Sequence, residues 1–329
     1  MSSELEIVVY NEKYKDKWDK FIENSINGTF LQSRQFLMYH PDSRFIDNSI
    51  LFINGGNIVA VIPANVINEE KKILISHQGS TFGGIILAPS SLNISALEQI
   101  FNKLENYLIE NKFDEIILKE PGKIYLKDSF ELLEYFYYYK GYSVSVEVGY
   151  YIDYLNYKDE IISNFSASRR RDYRYSLKNE LYFKQIDTKE EILSFYNILC
   201  DNYKKFNKSP VHSQQELLDL KFNLLNQYID FYAVYYNNEM IAGSMIFKFG
   251  KQVFHTQYLA VRQDMTKIFA NEFLYKNLIE TAKKLGYQYI SFGTSTFEKG
   301  KILNNKLALY KESFGSSEYV NRSYSKQIK

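Results

Sequence analysis

Phe231-Tyr-Ala-Val-Tyr235, a break at Asn237-Asn238-Glu239 and then Ile241-Ala-Gly-Ser-Met-Ile246 make two apolar runs joined by residues that tolerate a left-handed backbone, the pattern of a β-hairpin. The same pattern stands near the start of the chain, in Ile50-Leu-Phe-Ile53, Asn54-Gly55-Gly56-Asn57 and Ile58-Val-Ala-Val-Ile62. Outward from each hairpin the flanking segments match too. Upstream lie an alternating strand (Leu5-Glu-Ile-Val-Val-Tyr10; Leu181-Tyr-Phe-Lys-Gln-Ile186), an amphipathic helix (13–23; 189–203) and a serine placed to cap a further helix (Ser33; Ser213). Downstream come a third strand, a long helix (95–111; 269–285) and an apolar strand (Glu115-Ile-Ile-Leu118; Tyr289-Ile-Ser-Phe292). Each half then closes alike, Tyr138-Tyr-Lys-Gly-Tyr142 leading into 143–155 and Leu309-Tyr-Lys-Glu-Ser-Phe-Gly315 into 316–326.

Two copies of one pattern predict two domains, 1–153 and 154–329, the second opening with a basic helix. Strand, helices, antiparallel meander and a strand-helix-strand crossover predict an α/β (α+β) fold in which each domain is a mixed, mostly antiparallel sheet flanked by helices. A length of 329 residues suits two cores better than one, and with only 5 Pro and 15 Gly little of the chain reads as linker.

Forty Lys and Arg balance 39 Asp and Glu, which leaves no global field for a polyanion, so DNA is not an expected partner. Cys200 is the one cysteine and has no partner for an internal disulfide. The amino terminus lacks a signal-peptide layout and no apolar run is long enough to span a membrane, which points to a cytoplasmic protein. His40, His77, His212 and His255 lack metal-ligand spacing, so neither a metal nor a tightly bound cofactor is expected. His255 shares a strand face with Gln257 and is a candidate for proton handling or substrate orientation.

Four stretches carry a family resemblance: Phe30-Leu-Gln32-Ser33-Arg34-Gln-Phe36; Ser76-His77-Gln-Gly79-Ser-Thr-Phe-Gly83-Gly84; Ser168-Arg169-Arg170-Arg171-Asp-Tyr-Arg174; and Phe292-Gly-Thr-Ser295 with Leu303-Asn304-Asn-Lys-Leu307 through Gly315. Together they resemble the FemAB-related branch of the GNAT acyltransferases. That branch includes peptidoglycan-bridge aminoacyltransferases and acetyltransferase-like proteins of polysaccharide and capsule clusters. The resemblance implies tandem GNAT-like domains and acyl or aminoacyl transfer to an amine of a cell-envelope glycan, peptidoglycan or sugar-nucleotide precursor. It places an aromatic-lysine pair, here Tyr310 and Lys311, at the site of transfer, where a cation stabilises the tetrahedral oxyanion. Conventional acetyl-CoA-dependent N-acetylation and a non-catalytic glycan- or partner-binding module on the same scaffold are the two other readings.

The remaining candidates are for substrate binding. Arg169, Arg170, Arg171 and Arg174 crowd the start of a helix, where cations oppose the helix dipole; a bound anion would offset that, and a solvated basic face is the alternative. Gly79, Gly83 and Gly84 allow either a close backbone approach to a ligand or a sharp turn, with His77 beside them. Gln32, Arg34 and Asn304 belong to the family stretches. The pattern departs from an ordinary GNAT enzyme at the turn that cradles coenzyme A, since neither Arg262-Gln-Asp-Met-Thr-Lys-Ile-Phe-Ala270 nor Ala88-Pro-Ser-Ser-Leu-Asn93 contains glycine. It departs from many Fem enzymes in showing no lysine around Tyr39-His40-Pro41. The donor, aminoacyl-tRNA or acyl-CoA, stays open.

Overall fold

The structure is a computed structural model that describes residues 4–41, 44–126, 131–205 and 207–329, so Met1-Ser2-Ser3 lies outside the described residues. The chain divides into two compact units, Met1–Glu147 with Val320–Lys329, and Val148–Tyr319.

The first unit holds β1 (Glu6–Val9), α1 (Lys15–Asn24), α2 (Arg34–Leu37), β2 (Ile46–Asp47), β3 (Ile50–Asn54), β4 (Asn57–Ile62), β5 (Asn65–Asn68) and β6 (Lys72–Ile75). It continues with β7 (Ile86–Leu87), α3 (Ile94–Glu110), β8 (Glu115–Glu120) and α4 (Glu131–Tyr139). β3 and β4 form the expected hairpin, its turn made by Gly55 and Gly56 at φ 55° and 78°. One antiparallel sheet runs β1-β3-β4-β7, and β2-β5-β6-β8 form a second row in which β6 and β8 are parallel. Phe52 and Ala60 face Leu97, Phe101 and Leu104 of α3, while Leu51 and Val61 face Trp18 and Ile22 of α1. Both faces of that sheet are therefore covered, which is why its strands read as continuous apolar runs rather than as alternation. Each fully buried Leu, Ile or Phe stabilises the unit by about 1.5–3 kcal/mol.

β9 (Ser143–Asp153) leaves the first unit and enters the second. There follow α5 (Ala167–Ser176), β10 (Tyr182–Ile186), α6 (Lys189–Lys204), α7 (Gln214–Asp219), β11 (Ile229–Tyr236), β12 (Glu239–Phe249) and β13 (Val253–Val261). The chain ends with α8 (Ala270–Lys284), β14 (Tyr289–Thr294), β15 (Thr296–Phe297), β16 (Ile302–Leu303), α9 (Asn305–Glu312) and β17 (Ser317–Gln327). The second unit's strand order is β10-β11-β12-β13-β14-β9, antiparallel except for β13 beside β14. Asn237 and Asn238, at φ 50° and 64°, supply the left-handed turn of the second hairpin.

The sequence divides the chain at 153/154; the structure divides it by strand pairing. Residues 149–153 of β9 pair with β14 in the second unit, and Arg322–Gln327 of β17 pair with Glu115–Glu120 of β8 in the first. Each unit is thus closed by the strand that follows the other copy's last helix. Periodicity reveals that those segments are strands but not which partner they choose.

Candidate functional site

In the second unit the ladder between β13 and β14 covers three pairs, Val253↔Tyr289, Phe254↔Ile290 and His255↔Ser291. Beyond them the strands separate. β13 also carries a bulge, because Met245 pairs with Tyr258 and Ile246 with Thr256, leaving Gln257 looped out of the β12 register. On the other side, Gly293 at φ 69° interrupts the pairing of β14 with β9. This left-handed residue, which a side chain would strain, aims its own carbonyl and that of Thr294 at the side chain of Lys311.

Lys311 lies in the last turn of α9 and is 3% exposed. Its Nζ donates to Gly293 O at 3.0 Å and to Thr294 O at 2.7 Å. Neither acceptor carries a full charge, and desolvation lowers its pKa from the usual lysine range to about 7. His255 is close enough to feel it. Burial is the larger cause, and the Lys311 charge the second, of an imidazole pKa brought down to about 3, against a hydrogen bond with Gln257 that raises it. His255 Nδ1 lies 3.1 Å from Ser291 Oγ. An imidazole that stays neutral across the physiological range orients partners rather than collecting protons, so of its two expected roles orientation is the one this site supports.

Tyr310 points away from Lys311 into a polar cluster. Its hydroxyl donates to Glu272 Oε1 at 3.1 Å and accepts from Asn271 Nδ2 at 2.6 Å, and desolvation raises its pKa further above the usual tyrosine value. Arg169 completes the cluster: Nη1 is bound to Glu272 and to Asp172, Nε donates to Ser313 Oγ at 3.0 Å, and the guanidinium stands 4.4 Å from the Tyr310 ring centroid. α5, α8 and the end of α9 are tied together there, which fixes the helix that carries Lys311. Asn304 caps α9, accepting from Leu307 N at 3.2 Å, so its side chain serves the helix rather than a substrate.

Residues 164–300 match the family model of the acetyltransferase (GNAT) domain. That stretch lies within the second unit, which therefore carries a GNAT-type acetyltransferase domain. Across nearly its whole length it is similar in fold to FemX (11% identity, 96% of each chain, TM-score 0.67). It is also similar to the C-terminal domain of a putative lysylphosphatidylglycerol synthetase from Agrobacterium fabrum (9% identity, 96% of this chain and 92% of that one, TM-score 0.60). It is similar in fold, too, to a tandem GNAT protein from the clavulanic acid biosynthesis pathway (7% identity, 99% of each chain, TM-score 0.56). No curated protein sequence matches.

The turn that serves coenzyme A in a GNAT domain does not fit a pyrophosphate here. Between β13 and α8, Arg262 is bound to Glu239 and Asp264, both at 2.7 Å, so its charge is already met and two carboxylates stand beside it. Met265 N and Phe269 N donate back to Arg262 O and Thr266 O, and Phe269 itself takes φ 57° ahead of α8, a conformation easier for glycine.

The arginine run separates into two kinds. Arg169 is held by acidic partners, and Arg170 Nη1 donates to Phe165 O at 2.8 Å, so protein groups rather than a ligand offset these two cations at the helix start. Arg171 and Arg174 are exposed on the outer face of α5, spaced with Tyr175 and Lys178 along one helical stripe, with Arg171 touching Asp172.

In the first unit the expected ligand-approach segment is filled by the protein itself. A Cβ on Gly79 would stand 2.0 Å from His40 Nε2, and one on Gly83 3.0 Å from Ser76 O. His77 Nδ1 accepts from Gly79 N at 3.2 Å, and burial takes that imidazole to about 3. Gln32 closes a capping box with Thr29. Arg34, 1% exposed, bonds Asp47 at 2.6 Å and lies 3.2 Å and 4.1 Å from the Tyr10 and Trp18 ring centroids, a desolvated position in which Nε and Nη2 have no hydrogen-bond partner among the described residues. These residues hold the unit together; the turn reading of the glycines is the one the geometry favours.

Gly84 gives a measurable consequence. It sits at φ 74°, and an added Cβ would stand 2.3 Å from Oε1 of Glu120, whose carboxyl accepts from Tyr137 and from Ile85 N and is raised by desolvation to about 7. Gly84→Ala is expected to cost about 2–4 kcal/mol, from the left-handed backbone and the displaced buried carboxyl. Gly56→Ala, at φ 78° with open space around it, should cost only about 1–2 kcal/mol. Equal losses on chemical denaturation would remove Glu120 from the explanation.

Proposed function

We propose that this chain moves an acyl or aminoacyl group from an activated ester or thioester to an amine on a cell-envelope glycan, peptidoglycan or sugar-nucleotide precursor, in the cytoplasm. The observation that carries this reading is the state of Lys311. An ammonium has three N–H donors, and the two carbonyls of Gly293 and Thr294 engage two of them. The third is left for the carbonyl oxygen of the donor, which gains negative charge as the amine nitrogen bonds to carbon. In a desolvated site that contact strengthens as the charge develops. The C–O or C–S bond of the donor then breaks, and the proton lost by the amine ends on the departing oxygen or sulfur.

Aminoacyl-tRNA is the donor we favour over acyl-CoA. The self-paired Arg262 turn speaks against a coenzyme A pyrophosphate, whereas the exposed Arg171, Arg174 and Lys178 suit a phosphate backbone.

The test is turnover of an amine-bearing precursor panel with charged tRNA or acetyl-CoA, together with calorimetry. Product with charged tRNA and no saturable acetyl-CoA binding is expected; saturable acetyl-CoA binding with turnover would reverse the choice. Replacing Arg171 and Arg174 together with Ala should raise KM for charged tRNA and leave kcat nearly unchanged.

A further inference from the structure

The short hairpin of β15 and β16 has no counterpart in the expected α/β pattern and no part in the transfer chemistry. It leaves the sheet directly after Thr294, one of the two residues holding Lys311, and returns to Asn304, the cap of α9. It exposes apolar surface. Phe297 is 50% exposed, Ile302 and Leu303 are 47% each, and Leu309 on the adjoining helix is 65%. Phe297 and Ile302 are directly paired, so they share one face of the ribbon.

Between these side chains stand Lys299, Lys301 and Lys306, all exposed, and Glu298 is the one acidic residue from 296 to 311. The tip is a tight left-handed turn, with φ 50°, 55° and 91° at Glu298, Lys299 and Gly300. Exposed aliphatic and aromatic side chains interleaved with ammonium groups match a surface that is apolar beneath and anionic on top. We propose that this hairpin docks the second unit on an anionic lipid bilayer, beside the buried lysine.

The alternative partner for a basic surface is RNA, and side-chain type separates the two. Arg171 and Arg174 on α5 offer planar forks, which suit the phosphates of nucleic acid. Ile302 and Leu309 have no π-face and gain nothing from a phosphate backbone, but they gain by leaving water for a lipid interface. Each lysine near an anionic bilayer adds about fivefold to partitioning.

Co-sedimentation of the full chain with vesicles tests the surface. Binding to phosphatidylglycerol-phosphatidylcholine vesicles is expected, with little binding to pure phosphatidylcholine and a loss as salt is raised. The variant F297S/I302S/L309S should partition at least about tenfold less with an unchanged melting temperature, because the replaced side chains are already exposed. K299E/K301E/K306E should do the same on anionic vesicles only. Lys311→Met should bind vesicles as the native chain does, so the fate of this proposal is separate from that of the transfer chemistry. A native chain that stays in the supernatant, or hairpin variants that bind undiminished, would overturn it; so would retention of uncharged tRNA that only the lysine variant loses.

Discussion

Lys311→Met is expected to lower kcat by about a hundredfold or more while leaving the fold as stable as before or more so. A single oxyanion donor is worth about 10²–10³ in rate, and methionine keeps the length and volume of the lysine stem. The stability half of the result follows from the burial of an ammonium held by carbonyls alone. Lys311 titrates near 7 in the folded chain but near the ordinary lysine value when unfolded, so between those limits the unfolded chain binds more protons. The native protein therefore gains stability from this group as pH rises from about 7 toward 10.5, and the stability advantage of the methionine variant should be largest at or below pH 7 and vanish at the alkaline end. Activity moves oppositely. If the charged form serves the oxyanion, kcat should fall as pH rises through about 7, a limb that Lys311→Met abolishes. Undiminished turnover by the variant would take Lys311 out of the site.

Much of the fold was legible because the duplicated hairpins carry their own turn chemistry. Asn54-Gly55-Gly56-Asn57 and Asn237-Asn238 specify left-handed turns whatever surrounds them, and both hairpins form where expected. Ser33 and Ser213 each cap a helix as expected, since that bond is local. The features that escaped are those decided at a distance. In the first copy the strands that run unbroken as β12 and β13 in the second are split into β4 with β5 and β6 with β7, the π-helical stretch Leu220–Leu224 extends α7, and β9 and β17 take partners outside their own repeat. Local periodicity has nothing to say about any of these.

The site was legible as a position and not as an environment. Gly141 and Gly315, at φ 78° and 77°, close the last helix of each repeat, and counting back four residues from each reaches Tyr137 and Lys311. The partners correspond as well, since Glu120 and Thr294 end β8 and β14. In the first copy a tyrosine is sealed against a buried carboxyl; in the second a lysine is held by backbone carbonyls. The corresponding position is a packed hydrogen bond in one copy and a desolvated cation in the other. Sequence alone aligns Lys311 with a family motif, but the depressed pKa depends on the burial that the folded unit imposes on its side chain. Glu272 was invisible for a similar reason: its partner Arg169 lies 103 residues away.

That partnership supports the second large effect. Arg169→Ala is expected to destabilise the second unit by about 3–5 kcal/mol, because it strands the Glu272 carboxylate, 9% exposed, in the cluster with Tyr310 and Asn271. A surface arginine in the same run should behave differently. Arg171, 65% exposed and paired to the shared Asp172, should cost less than about 1 kcal/mol when replaced by Ala. The double variant Arg169→Met with Glu272→Gln removes both charges together and should recover much of the loss, since an uncharged pair leaves no carboxylate without its cation. Guanidinium denaturation of the three variants measures this directly. Recovery in the double variant without recovery of kcat would assign Arg169 and Glu272 to positioning α9, and with it Lys311. If Arg169→Ala matched Arg171→Ala in stability and raised only KM, Arg169 would instead be a substrate contact, and the clamp on α9 would have to lie elsewhere.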